Sequence, residues 1–187
     1  MKWMIASDIH GSAYYCDLLL KAFDGEQADR LLLLGDILYH GPRNDLPKDY
    51  APKSVMEQLS AIKDRIFCVR GNCDTEVDQM VLPFPIMADY AVISAGDRIM
   101  YATHGHIYNS GNLPPLQPGD ILLFGHTHVP DLLRSGDSIC INPGSVSIPK
   151  NGSRHSCIVW VDGLFGWMDI ETGEYYRHFN TSSSRVM

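Results

Sequence analysis

The 187-residue chain has no apolar run approaching the ~18 residues that a membrane-spanning helix needs, which excludes that class. Its five cysteines (Cys16, Cys68, Cys73, Cys140, Cys157) include no CxxC pair, which argues against a zinc ribbon or a thioredoxin-type motif. An odd, widely spaced set fits reduced thiols in a reducing compartment. Positive charge is also short: 15 basic residues stand against 22 acidic ones, a net charge of −7. Such a chain does not draw in a long polyanion by its overall field, so no long nucleic acid is expected as a partner. A small anion can still be held locally, because salt screens distant charge beyond about 8 Å. The opening residues Met1–Asp8 are too short an apolar stretch for a signal peptide, and a cytoplasmic location is expected. What is present is ordinary for a folded protein: 45% hydrophobic and 20% charged residues. There is no internal repeat and no second domain boundary. One domain over residues 1–180 is expected, followed by a frayed tail over 181–187.

The first half alternates strand-like and helix-like segments. Lys2–Ala6 reads as a buried strand. Ser12 caps a helix running to about Phe23. Arg30–Leu34 is a continuous apolar run stopped by Gly35, as expected of a strand buried on both faces. A Pro-containing loop over Tyr39–Pro52 leads to a helix over about Pro52–Lys63, and Ile66–Val69 is a third strand. This alternation implies parallel strands joined by crossover helices. The second half holds shorter strands at Tyr90–Ala95, Arg98–Thr103, Ile121–Phe124, Ser138–Ile141, Cys157–Val161 and Trp167–Ile170. Gly96-Asp97 and Thr172-Gly173 serve as hairpin signals. Trp3, Trp160 and Trp167 fall in strands and are expected in the core. A layered α/β sandwich built on two sheets is the simplest packing.

The eight histidines are the compositional surprise. Six of them (His10, His40, His104, His106, His126, His128) sit beside Gly or Thr. Asp, His and Asn recur just past the strands: Ser7-Asp8-Ile9-His10-Gly11, Gly35-Asp36, Arg70-Gly71-Asn72-Cys73-Asp74, Thr103-His104-Gly105-His106 and Gly125-His126-Thr127-His128. In α/β sheets ligands bind beyond the carboxyl ends of strands. Five strand ends therefore deliver two Asp, four His and one Asn to one rim. Mixed nitrogen and oxygen donors without thiolate suit Mn²⁺, Fe, Zn²⁺ or Ni²⁺ rather than Ca²⁺ or structural zinc. Seven donors are too many for one ion, but with one bridging carboxylate they make two four-ligand shells. Glycines beside the donors allow tight turns and close backbone approach.

Asp8-x-His10, Gly35-Asp36, Gly71-Asn72, His104 and Gly125-His126-x-His128 follow in order the motif set of the calcineurin-like metallophosphoesterases, which the chain resembles over roughly residues 4–148. His40-Gly41-Pro42-Arg43-Asn44, Asn72-Cys73-Asp74 and Asn142-Pro143-Gly144-Ser145 look like its small bacterial phosphodiesterase subgroup. The resemblance implies a four-layer αββα sandwich: two mixed β-sheets flanked by helices. It implies a pair of divalent ions, Mn²⁺ first, with Zn²⁺, Ni²⁺ or Fe as alternatives. One ion would take Asp8, His10, Asp36 and His128, the other Asp36, Asn72, His104 and His126, with Asp36 shared.

The activity implied is hydrolysis of a small phosphodiester by a hydroxide bridging the two ions. Asn72 and Arg70 are candidates to meet charge on the phosphate, with a salt bridge from Arg70 to Asp74 as the competing role. The wider family carries His, a usual donor of the leaving-group proton, where this chain has Cys73. A thiol lowered by nearby cations would be thiolate and could not donate. His106 is the candidate substitute. His40 and Arg43, on the loop after Asp36, are expected to border the substrate or cap a surface loop. His155 and His178 are read as structural or surface residues. Two other functions compete: a protein-interaction scaffold of the same fold with a degraded metal site, and a nucleotide or cyclic-nucleotide hydrolase. The complete donor set argues against the scaffold. A homo-oligomer through an exposed strand edge in the second half is a further expectation.

Overall fold

The computed structural model describes residues 1–96 and 98–181. Three parallel strands open the chain: β1 (Trp3–Ala6), β2 (Arg30–Leu33) and β3 (Ile66–Cys68). They are connected by α1 (Ala13–Gly25) and α2 (Pro52–Ser60), with a 3₁₀ turn at Lys63–Arg65. Ser12 caps α1, its hydroxyl accepting from the Tyr15 amide at 3.3 Å. Pro52 stands at the first position of α2, where its missing N–H costs nothing. A short α3 (Glu76–Val81) follows β3. A reciprocal capping box between Thr75 and Asp78 starts it.

The remaining strands are β4 (Ala91–Ala95), β5 (Arg98–Ala102), β6 (Ile121–Leu123), β7 (Pro130–Ser135), β8 (Ser138–Pro143), β9 (Ser156–Val161), β10 (Leu164–Asp169) and β11 (Tyr175–Asn180). Two mixed sheets result, ordered β11-β10-β9-β1-β2-β3 and β4-β5-β6-β8-β7. Period-two alternation divides each central strand between two cores. Met4, Leu31 and Leu33 face Leu19, Phe23, Val55 and Leu59 of the helices. Trp3, Ile5, Leu32 and Leu34 face Ile121, Leu123, Ile139 and Ile141 of the second sheet, joined there by Trp160 and Trp167. The outer layer on the second sheet is thin. Tyr108, Leu113 and Leu116, from a segment with no helix, cover Tyr101, Leu122, Phe124 and Cys140.

Three elements lie outside the sequence expectations: α3, β7 and β11. The two strands are sheet edges, only partly buried, and so carry weak alternation. The Gly96-Asp97 turn is bracketed by antiparallel β4 and β5, although Asp97 itself lies outside the described residues. Of the tail expected over 181–187, only Thr181 is described. It is buried, and its amide and hydroxyl both donate to the Gly163 carbonyl. No helix among the described residues is long and apolar enough to cross a membrane.

Candidate metal centre

Three of the five strand ends, those after β1, β2 and β6, leave their sheets through an unusual backbone turn. Asp8, His10, Asp36, His126 and His128 all take positive φ, between 48° and 66°. A non-glycine residue in that region costs of order 1 kcal/mol, so these turns persist only because the surroundings over-determine them. Backbone bonds continue the β1–β2 ladder past the strands, from the Asp8 amide to Gly35 O (3.1 Å) and from the His10 amide to Asp36 O (2.9 Å). Gly71 and Gly125 permit the close approach. A Cβ on Gly71 would stand 2.9 Å from Asp36 Cγ, and one on Gly125 would stand 2.8 Å from Ser7 Cβ.

The donors then converge. Asp8 Oδ1 lies 3.5 Å from His10 Nε2 and 3.3 Å from His128 Nε2, and those two nitrogens are 3.4 Å apart. Asp36 Oδ2 lies 3.6 Å from His10 Nε2 and 3.4 Å from His104 Nε2. His104 Nε2 is in turn 3.1 Å from Asn72 Oδ1 and 3.2 Å from His126 Nδ1. The seven residues thus form two overlapping clusters joined at one oxygen, Asp36 Oδ2. Atoms bound about 2.1 Å from a common ion stand about 3.0–3.4 Å from each other, the spacing seen here.

Ring orientation agrees. The Nδ1 atoms of His10, His104 and His128 donate to the carbonyls of Tyr39 (2.7 Å), Leu34 (2.6 Å) and Ile148 (2.7 Å), which aims each Nε2 at the centre. Asp8 Oδ1 is buried and makes no hydrogen bond, a lone pair left for an ion. Burial would raise both carboxylates, but the facing histidines, His10 beside Asp8 and His104 beside Asp36, hold both below the usual range. Burial would lower His104, yet Asp36 and Asp8 raise it to about 9. Two buried carboxylates therefore call for compensating positive charge, and they favour the protonated forms of both His104 and His10. Burial and the His104 charge push His126 down. Burial leads for His128 too, and both rings are pushed toward the neutral form. These residues fit a divalent pair.

The other candidates divide. Cys73 reaches the rim: its amide donates to Asp36 Oδ1 at 2.8 Å, and its sulfur accepts from the Asn72 amide group at 3.3 Å. Burial, then the Asp36 charge and hydrogen bond, push its thiol up to about 12. The chain's own groups therefore favour the neutral thiol, whereas the expected thiolate rests on bound cations. Arg70 does not pair with the Asp74 carboxylate. Its Nη2 stands 3.7 Å from Glu76, and its Nε donates only to the Asp74 carbonyl. His106 is exposed, its ring 5.5 Å from that of His104. His40 is wedged edge-on between Tyr39 and Tyr50. His155 stacks on Tyr15 and His178 on Tyr175, the structural roles expected.

Sequence reasoning quoted Asp74, Asn142 and Ser145 within motifs but not the bonds by which they support the donors, and it missed Ser147. Asp74 accepts from the amides of Asp36 (2.8 Å), Ile37 (2.9 Å) and Gly71 (2.7 Å), tying two ligand loops together. Ser145 and Ser147 donate to the Asp8 carbonyl at 2.9 and 3.1 Å, and Asn142 holds the Gly125 carbonyl at 2.9 Å. Lys150 lies at the rim of a ≈ 480 Å³ cleft that also takes in Arg43, Cys73 and four of the donors besides Asn72: His10, Asp36, His126 and His128. A larger hollow of ≈ 760 Å³ is lined by Trp3, Ile93 and Trp160 and contains none of these residues.

Residues 1–163 match the model of the calcineurin-like phosphoesterase superfamily domain, and the chain belongs to that superfamily. It is 48% identical over 156 residues to phosphodiesterase YfcE of Escherichia coli K12, covering 83% of this chain and 85% of that protein. It superposes on the solved structure of the E. coli YfcE phosphoesterase with a TM-score of 0.93 at 41% identity, covering 97% of this chain and 100% of the other. The fold extends to Vps29 of Chaetomium thermophilum: TM-score 0.62 and 14% identity over 96% of this chain and 97% of the other.

Proposed function

We propose that this member of the superfamily is a phosphodiesterase with a two-ion centre. Asp8, His10, Asp36 and His128 would hold one ion, and Asp36, Asn72, His104 and His126 the other. The carrying observation is the pair of donor clusters sharing Asp36 Oδ2, with three histidine rings fixed from behind by carbonyls. The likeness to phosphodiesterase YfcE supports the diester as substrate.

When bound, such an ion pair supplies Lewis acidity and a water of lowered pKa. The chain's own residues do the rest. Asp36 sits between the clusters, its second oxygen pinned by the Cys73 amide. Asn72, on the exposed side of its cluster, is placed to meet a phosphate oxygen, with half-exposed Arg70 on the same loop. His106 stands outside the hydrogen-bonded set and serves at most a substrate that reaches over the rim. Cys73, a thiol where the wider family carries His, is at best a weak proton donor to a leaving group. Mn²⁺ is the first ion to test, with Zn²⁺, Ni²⁺ and Fe as alternatives, since donor chemistry admits all of them. Five unpaired cysteines support a reducing compartment such as the cytoplasm. A small diester, rather than long nucleic acid, suits the net charge of −7.

The test is turnover of an aryl phosphodiester and the matching monoester after chelation, with each metal returned singly and His128→Ala alongside. Diester turnover restored by metal and lost in the variant is expected. No turnover with any metal, despite bound ions, overturns the reading in favour of the scaffold alternative.

A further inference from the structure

Two cations flank the cleft without a role in the donor clusters. Arg43 sits in the Gly41–Asn44 turn, closed by the Asn44 amide on the Gly41 carbonyl (3.3 Å) and by the Asn44 side chain on the His40 carbonyl (2.9 Å). Pro42 stiffens that turn, and Gly41, at φ 78°, packs it against Cys73. The loop leaves the centre at Tyr39, whose carbonyl holds His10. Lys150 lines the same cleft. Its amide donates to the His128 carbonyl at 3.1 Å, and its carbonyl accepts from the Ser153 amide and hydroxyl. Lys150 is thus carried on backbone bonded directly to a cluster histidine, and Arg43 on the loop whose first residue, Tyr39, holds another. Neither side chain has an ion-pair partner among the described residues, and the cleft's one acidic lining residue is Asp36.

A simple phosphodiester carries one negative charge. Two divalent ions over Asp8, Asp36 and a bound hydroxide already match it, so Arg43 and Lys150 are surplus for such a substrate. In a chain of net charge −7, uncompensated cations fixed at a rim are an arrangement for an anion. We propose that Arg43 and Lys150 form a subsite for a second anionic group, a phosphate or carboxylate borne by one ester arm of the substrate. The natural substrates would then be polyanionic diesters rather than neutral-armed ones. This rests on the phosphodiesterase reading.

Three esters sharing the p-nitrophenol leaving group test it: ethyl, 2-carboxyethyl and 2-(phosphonooxy)ethyl p-nitrophenyl phosphate. Wild type should turn over at least one anionic ester with a KM about tenfold below that of the ethyl ester and a similar kcat, since the contact lies away from the reacting bond. The better of the two anionic esters names the group. In R43Q/K150Q the advantage should vanish, with the ethyl ester changed by less than threefold. Three equivalent esters, or a preference that survives the double substitution, would overturn the proposal and leave the phosphodiesterase reading standing. If no ester is turned over, that reading itself fails. The subsite is then decided by calorimetric binding of methylenebisphosphonate to metal-loaded protein: a tenfold loss in R43Q/K150Q sustains it, and equal affinity overturns it.

Discussion

Gly71→Ala isolates the geometric demand of the centre, because its backbone has no positive φ and the added methyl acts by volume alone. The new Cβ would stand 2.9 Å from Asp36 Cγ and nearer still to Oδ1 and the Asp36 amide nitrogen. Ordinary contact begins near 3.4 Å, so the Asp36 loop must retreat by about 1 Å. Asp36 cannot yield freely, because Asp74 accepts from its amide and from that of Ile37. Overpacking of this kind costs about 2 kcal/mol, or roughly 4–8 °C in melting temperature for a chain of this size. The functional cost should be larger. Metal sites tolerate about 0.2 Å in ligand distance, and a 1 Å misplacement of a reacting centre costs about 100-fold. The assay is a thermal melt in chelator, then metal titration by calorimetry, then diester turnover. Gly25→Ala is the control: nothing lies within 4 Å of its Cβ at the end of α1. A Gly71→Ala protein with wild-type metal affinity and turnover would refute the role given to Asp36.

Ser145→Ala removes a buried hydroxyl that donates to the Asp8 carbonyl and accepts from the Ile148 amide, and should cost about 1–3 kcal/mol in urea unfolding. A change below about 0.5 kcal/mol would show that the hydroxyl does not hold the loop. Iodoacetamide on the native, metal-free protein should label Cys73 alone, and slowly, since Cys16, Cys68, Cys140 and Cys157 are buried. Mass spectrometry detecting two or more native adducts would contradict this packing. Aryl diesters should be cleaved far faster than alkyl diesters, because the site offers a thiol where an imidazole would protonate the leaving group. A shallow dependence on leaving-group pKa would reveal an effective acid instead.

The donor residues were legible because each stands directly after an apolar run, where local pattern is strongest. Arg30–Leu34 stops at Gly35-Asp36, and Ile121–Phe124 stops at Gly125-His126. The helices of the first half were readable for the same reason: caps and periodicity are local signals. Arg70 shows the limit. Sequence proximity suggested Asp74, but burial turned that carboxylate inward to three amides and left Arg70 to Glu76. Edge strands β7 and β11 escaped notice because neither face of either strand is fully buried, so no apolar alternation is enforced.

By itself the sequence determined which elements the chemistry hangs from, which side chains end them and the donor types that favour divalent ions. Folding decided what depends on residues far apart in the chain. It brought Asp36 Oδ2 between His10 and His104, turned Ser145 and Ser147 under the Asp8 carbonyl, and placed Lys150 and Arg43 in one cleft. Those relations lie in loop conformations and long-range hydrogen bonds, which no local periodicity encodes.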